Sequence, residues 1–165
     1  MNLKKLVLAC FILVCLGCKT KNATIIDESG EKVSSEISQA YYDQSLAEII
    51  SFLNTIDAII KKADFEAWQK HCSEAYLKHY AHPEVLKELS QRPMLKTQNL
   101  KLKTLKDYFL QVFIPSRLEL GNLTIDKLEF ITPTRVKVLV RINNASYLLY
   151  LLEKDDKNNW KISLW

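Results

Sequence analysis

From Leu46 onward the apolar residues fall into a helical rhythm. Leu46, Ile49, Ile50, Leu53, Ile56 and Ile60 recur at i, i+3, i+4 and i+7, the spacing of an amphipathic helix with those side chains inward. Asp64 is a good N-cap for a second helix, which carries Phe65, Trp68, Cys72, Tyr76 and Tyr80 along one face. Pro83 fits the first turn of a shorter third helix that ends before Pro93. A polar connector then leads to a fourth helix through Leu105, Tyr108, Phe109, Val112 and Phe113. Pro115 should stop it, because proline has no N–H to continue the ladder.

From Leu123 the period changes to two. Val136, Val138, Val140 and Ile142 alternate with Arg135, Lys137, Leu139 and Arg141, as in a strand with one buried face. Tyr147 to Leu152 is apolar on both faces, which suits a central strand. Asn143-Asn144 and Asp155–Asn159 are turn-forming, and Trp160, Ile162 and Leu164 supply a last strand. Helices first and a meander last predict an α+β domain, with N-terminal helices packed on a C-terminal antiparallel sheet of about four strands.

The opening of the chain has a different pattern. Lys4 and Lys5 precede an unbroken apolar run from Leu6 to Leu16, followed by Gly17 and Cys18. A basic start, a short apolar middle and a small residue at the cut form a secretory signal. The run is shorter than the roughly 20 residues needed to span a bilayer. Cleavage before Cys15 would put branched Val14 in the last position. Residues 1–17 thus read as a signal peptide, and 18–40 as Cys18 plus a polar tether without apolar periodicity. Residues 41–165 read as one domain, a common size for a single core. As a flexible chain, 20 tether residues would span ~25 Å.

Charge and cysteines narrow the function classes. The chain has 23 basic and 19 acidic residues. Without Lys4 and Lys5 the balance is close to neutral and leaves no footprint for nucleic acid, which needs a concentrated basic stripe. Cys10 and Cys15 leave with the signal; if Cys18 is modified, only Cys72 remains and no internal disulfide can form. The three glycines, Gly17, Gly30 and Gly121, make no phosphate-binding loop.

Two resemblances add to this reading. Cys15-Leu16-Gly17-Cys18 resembles the lipobox of bacterial lipoproteins, in the looser form of spirochaetal ones. Gly17 and Cys18 match the pattern, whereas Cys15 stands where leucine is usual. The resemblance implies that Cys18 is lipidated, palmitate included, and that the domain hangs from the cell membrane or outer membrane, in the periplasm or at the surface. Second, Ala63-Asp64-Phe65-Glu66-Ala67-Trp68 and the closing Asn159-Trp160-Lys161-Ile162 resemble the nuclear transport factor 2-like (SnoaL-like) group over about Tyr41–Trp165. That likeness implies a cone-like α+β fold with a cavity between helices and sheet, in a fold used by both enzymes and binders. The short strand pair common in that group is not evident around Met94–Lys103.

Candidate chemistry is sparse. On a continuous second helix, His79 falls near the centre of the apolar stripe, and Asp57 falls within the stripe of the first helix. Facing each other across a cavity, they would make an acid–base couple; otherwise each has a structural role. Cys72, mid-helix among aromatics, reads as core rather than nucleophile. His71, His79 and His82 lack the spacing and partners of a metal site. Tyr76, Tyr80, Tyr147, Tyr150 and Trp160 either line a ligand cavity or fill the core. Arg135, Lys137 and Arg141 form a basic row on the outer sheet face, a solvated surface unless it meets anionic lipid or a partner. The expected function is a lipid-anchored, non-enzymatic module binding a small apolar ligand or an envelope protein, without cofactor. The alternative is a SnoaL-type enzyme using Asp57 and His79.

Overall fold

The computed structural model describes residues 37–118 and 124–164. The signal run, Cys18 and the tether up to residue 36 lie outside the described residues. The long first helix, α1 (Gln39–Lys62), is capped by Ser38, whose hydroxyl accepts the Tyr41 N–H at 3.2 Å. It ends on Ala63 in the left-handed region at φ 52°. Ile37, ahead of the expected boundary at 41, is buried in the core.

Helix α1 is rotated relative to the stripe expected from the sequence. Its buried residues are Ser45, Ile49, Phe52, Ile56, Ile59 and Ile60, while Ile50 is 45% exposed. At about 100° per residue, Asp57 lies roughly 110–120° from the centre of that face and points to solvent beside Ile50.

The expected second helix is two helices, α2 (Phe65–Lys70) and α3 (Glu74–Ala81). Between them the chain leaves the helix at His71 and Cys72 runs alongside the last strand. The Ile162 N–H donates to the His71 carbonyl and the Ser73 N–H donates to the Ile162 carbonyl, both at 2.8 Å. Cys72 thus forms a parallel bridge to the last strand instead of sitting mid-helix. The Ser73 hydroxyl then caps α3 by accepting the Tyr76 N–H.

Helix α4 (Pro83–Leu89) carries proline in its first turn, as expected. The supposed polar connector contains α5 (Pro93–Thr97) and buries Leu95 and Leu102. Ser90 ties it down, donating to the Leu86 carbonyl at 2.7 Å and accepting the Leu102 N–H at 2.9 Å. Next come α6 (Leu105–Tyr108), a π-helical turn (Phe109–Phe113) and α7 (Ile114–Leu118). Pro115 does not stop this run. The Ile114 N–H reaches back five residues to the Phe109 carbonyl, and the widened turn accommodates a residue without an N–H.

The sheet is an antiparallel meander in the order β1 (Ile125–Thr132), β2 (Arg135–Ile142), β3 (Ala145–Lys154), β4 (Trp160–Ile162). Asn143 and Asn144 take φ of 47° and 64°, the left-handed pair that a two-residue hairpin with native twist requires. Val136, Val138 and Val140 face the helices and are fully or almost fully buried; each such burial contributes roughly 1.5–3 kcal/mol. On β3 only Leu149–Leu152 is buried, and Tyr147 and Leu148 are exposed. Bulges at both ends of β1 disrupt its outer edge against further pairing.

On the outer face the basic row is engaged. Arg135 donates to the Leu164 carbonyl at 2.7 Å, and Arg141 pairs with Asp126, which also accepts from Ser146. The helices pack on the other face, where α1 is latched by charge. Glu48 meets Lys154 at 3.0 Å and accepts the Trp160 indole N–H at 3.0 Å and the Gln44 amide at 2.8 Å. The Lys154 ammonium also lies 4.8 Å from the Trp160 ring centre.

The latch predicts an asymmetric response. The Lys154 side chain is 5% exposed and that of Glu48 32%, so Glu48→Gln strands a buried ammonium. We expect a loss of about 2 kcal/mol, less than for a fully buried pair because Glu48 remains partly wet. Glu48→Gln with Lys154→Met should recover much of it in urea denaturation. An unchanged midpoint for Glu48→Gln would refute the latch.

Candidate functional site

A groove of about 450 Å³ lies where α1, the α2–α3 break and the β3–β4 turn meet. Its walls are Glu48, Ser51 and Phe52 from α1, His71 from the break, and Asn158, Asn159, Trp160 and Lys161 from the turn and β4. Local chemistry shapes each wall. Asp155 Oδ1 accepts the N–H groups of Lys157 and Asn159 at 3.0 and 2.8 Å, and Asn158 takes φ of 63°, so the turn sets Asn158 and Asn159 against the groove. His71 is there because the backbone leaves the helix to pair with Ile162. Its ring packs edge-on against Phe52 at 5.7 Å.

The charges lining this groove are engaged within the protein. Burial alone would raise the Glu48 carboxyl, but the bonds from Lys154, Gln44 and Trp160 outweigh it and hold the group below its ordinary value. Lys161 donates to the Lys70 carbonyl at 2.6 Å and pairs with Asp155 at 3.5 Å. Backbone donation from Asn159, then Lys157, keeps Asp155 ionised to lower pH than usual. Burial, with the Lys161 charge in addition, lowers His71 below its ordinary value, so its imidazole is neutral at pH 7. Ser51, His71 and Asn158 make no side-chain hydrogen bond to other described residues; they are the groove's unused polar groups, and all are uncharged.

The interior between helices and sheet is aromatic. Tyr76 and Tyr108 share a hydroxyl bond of 2.7 Å, and Tyr80 stacks on Tyr108 at 4.2 Å. Trp68 is fully buried and contacts Tyr76, Tyr108, Phe109 and Phe113. Burial raises the Tyr76 and Tyr108 phenols strongly. It pushes Tyr150 up to about 12 despite the Arg117 guanidinium, which lies 4.5 Å from the ring centre.

The structure therefore brings Tyr76 and Tyr80 together around Tyr108 and puts Tyr150 beneath Arg117. Trp160 belongs to the latch and groove instead, and Tyr147 is 52% exposed. Neither expected acid–base residue points inward. Asp57 is exposed and pairs with Lys61 at 2.6 Å. His79 is exposed, its ring perpendicular to that of Tyr80 at 4.8 Å; the break at His71–Ser73 resets the helical phase on which its inward placement depended. Cys72 is core, its thiol pushed well up by burial despite Lys161. Among the described residues no cluster of His, Cys, Asp or Glu has the makings of a metal site.

The residues that sequence reasoning missed are Glu48, Phe52, His71 and Asn158. One signal was available. Ser73 followed by Glu74 is an N-cap with an acidic first turn, which marks a second helix start and frees His71 from any helical face.

The chain is 31% identical over 126 residues to an uncharacterized lipoprotein of Treponema pallidum (strain Nichols), an alignment spanning 76% of this chain and 64% of the relative. No protein-family model matches the chain. No solved structure matches it significantly. No helix among the described residues is long and apolar enough to cross a membrane.

Two outcomes follow. Exposed His79 and Asp57 predict that His79→Gln and Asp57→Asn each change stability by less than about 0.5 kcal/mol; a thermal melt showing a loss near 2 kcal/mol for either would contradict their placement. His71 predicts acid sensitivity. With its folded value depressed, the unfolded chain binds the proton first as pH falls below about 6.5. Stability present above that pH is then lost through the folded value, before Glu48 loses its contribution at lower pH. His71→Gln should flatten the fall in Tm between pH 7 and 5, and an equal fall in both proteins would exclude His71 as its cause.

Proposed function

We propose that the protein is a lipid-anchored envelope protein, held through Cys18 and presenting the α+β domain as a non-enzymatic binding module. The anchor reading rests on the short apolar run ending in Gly17-Cys18 and on the likeness to a Treponema pallidum lipoprotein. A diacylglyceryl group with a further acyl chain holds a domain firmly, whereas one chain binds only marginally. Helices preceding a four-stranded antiparallel meander support a nuclear transport factor 2-like relationship.

The binding reading is carried by one observation: the charges at the groove are already consumed. Glu48 is committed to Lys154, Trp160 and Gln44, so no free carboxylate stands ready as a base for His71. The interior that would house a SnoaL-type reaction is occupied by packed aromatic rings with raised phenols. Asp57 and His79 lie outside it.

Expression of Cys18→Ala followed by fractionation and labelling with radioactive palmitate tests the anchor. Wild type should label and sediment with membranes, and the variant should do neither. Equal sedimentation and labelling of the two would refute lipidation at Cys18.

A further inference from the structure

We propose that the groove bounded by Glu48, His71 and Trp160 is a binding site for a neutral saccharide. The proposal rests on the binding-module reading and names its ligand class. The groove's capacity of about 450 Å³ lies within the range of small-ligand sites, enough for two or three sugar rings in part. The mixture of lining residues decides the chemistry.

An ion would gain little here. Glu48 is neutralised by Lys154 and Lys161 by Asp155, so an anion or cation would have to displace a partner already held at 3.0–3.5 Å. Breaking such a pair leaves a partly desolvated charge behind. A purely apolar ligand fits no better, because it would cover the polar groups of Ser51, His71 and Asn158 without bonding them.

Sugar hydroxyls meet both conditions. Each hydroxyl donates and accepts, as do the facing groups: an amide on Asn158, a neutral imidazole on His71 and a hydroxyl on Ser51. Phe52 and Trp160 supply apolar edges for the C–H faces of a ring. The Asn158 backbone is fixed at positive φ by the turn, so its amide is presented without much ordering cost on binding. The three polar groups come from three separate elements, which is how a site gains orientation as well as affinity.

The test is calorimetric titration of the full chain in a detergent without a sugar headgroup. Tri-N-acetylchitotriose and maltotriose serve as neutral saccharides. The fully deacetylated chitosan trimer and trigalacturonate serve as cationic and anionic counterparts, and N-acetyl-trialanine amide as a neutral peptide. At least one neutral saccharide should bind with Kd on the order of 1 mM or tighter, and its charged counterparts at least about fivefold more weakly. Asn158→Gly, which keeps the positive φ, and Ser51→Ala on the exposed face of α1 should each weaken binding about fivefold without moving Tm. Binding should also weaken once the pH falls far enough below the ordinary imidazole value to charge His71 in the folded state.

No heat with any neutral saccharide to about 20 mM overturns the proposal, as does full affinity in both variants. Binding of the peptide alone would leave the binding-module reading standing and eliminate the saccharide. Cleavage of the probe during titration would overturn the non-enzymatic reading itself.

Discussion

Two backbone hydrogen bonds, from Ile162 to His71 and from Ser73 to Ile162, set the plan of this domain. A helix running unbroken from Asp64 to Tyr80 would leave the outer edge of the three-residue strand β4 open. Pulling His71–Ser73 out of the helix satisfies that edge. The cost is several intrahelical bonds, offset by the new strand pairing and by caps on both sides, Asp64 for α2 and Ser73 for α3. The break then turns Tyr76 and Tyr80 toward Tyr108, sends His79 outward and puts the His71 ring against Phe52. One local change of backbone thus fixes both the aromatic interior and a wall of the groove.

The charge latch is the second joint. A glutamate and a lysine near the core are costly to desolvate, and such pairs often contribute less stability than apolar replacements would. Here Glu48 gathers donors from its own helix, from β3 and from β4. It therefore specifies where α1 lies across the sheet as well as holding it there. This supports a role in registry for the pair: an apolar substitute would hold the layers together with less orientation.

The sequence made the layers legible and the phases less so. The two-residue period of Val136, Val138 and Val140 placed β2 and its buried face correctly, because a strand with one wet side can obey only one register. Asn143-Asn144 was legible for a similar reason, since few residues accept two successive left-handed conformations. The helices were harder. On α1, six hydrophobic positions span more than one face, and the true stripe is settled by Ser45 and Phe52 together with the reach of Glu48, a tertiary contact. On α2–α3 a continuous apolar pattern concealed a break whose cause lies at Ile162, about 90 positions away. Pro115 misled because the wider π turn tolerates what a regular helix does not. The groove was legible only at Trp160, which stood among the expected cavity residues: the rest of its walls come from separate segments, each unremarkable alone.

The groove and the latch share Trp160, and this couples recognition to the fold. Its indole N–H is held by Glu48 and its face by Lys154, so an edge of the ring is what remains for a ligand. A ligand that binds only the folded state shifts the folding equilibrium toward it in proportion to its saturation. Here that gain would fall on the joint where α1 meets the sheet. The arrangement also divides the labour among the groove's polar groups. Its ionised groups serve to fix the walls, and the groups left facing the opening are neutral and rigidly placed. That division suits recognition of shape and hydroxyl pattern.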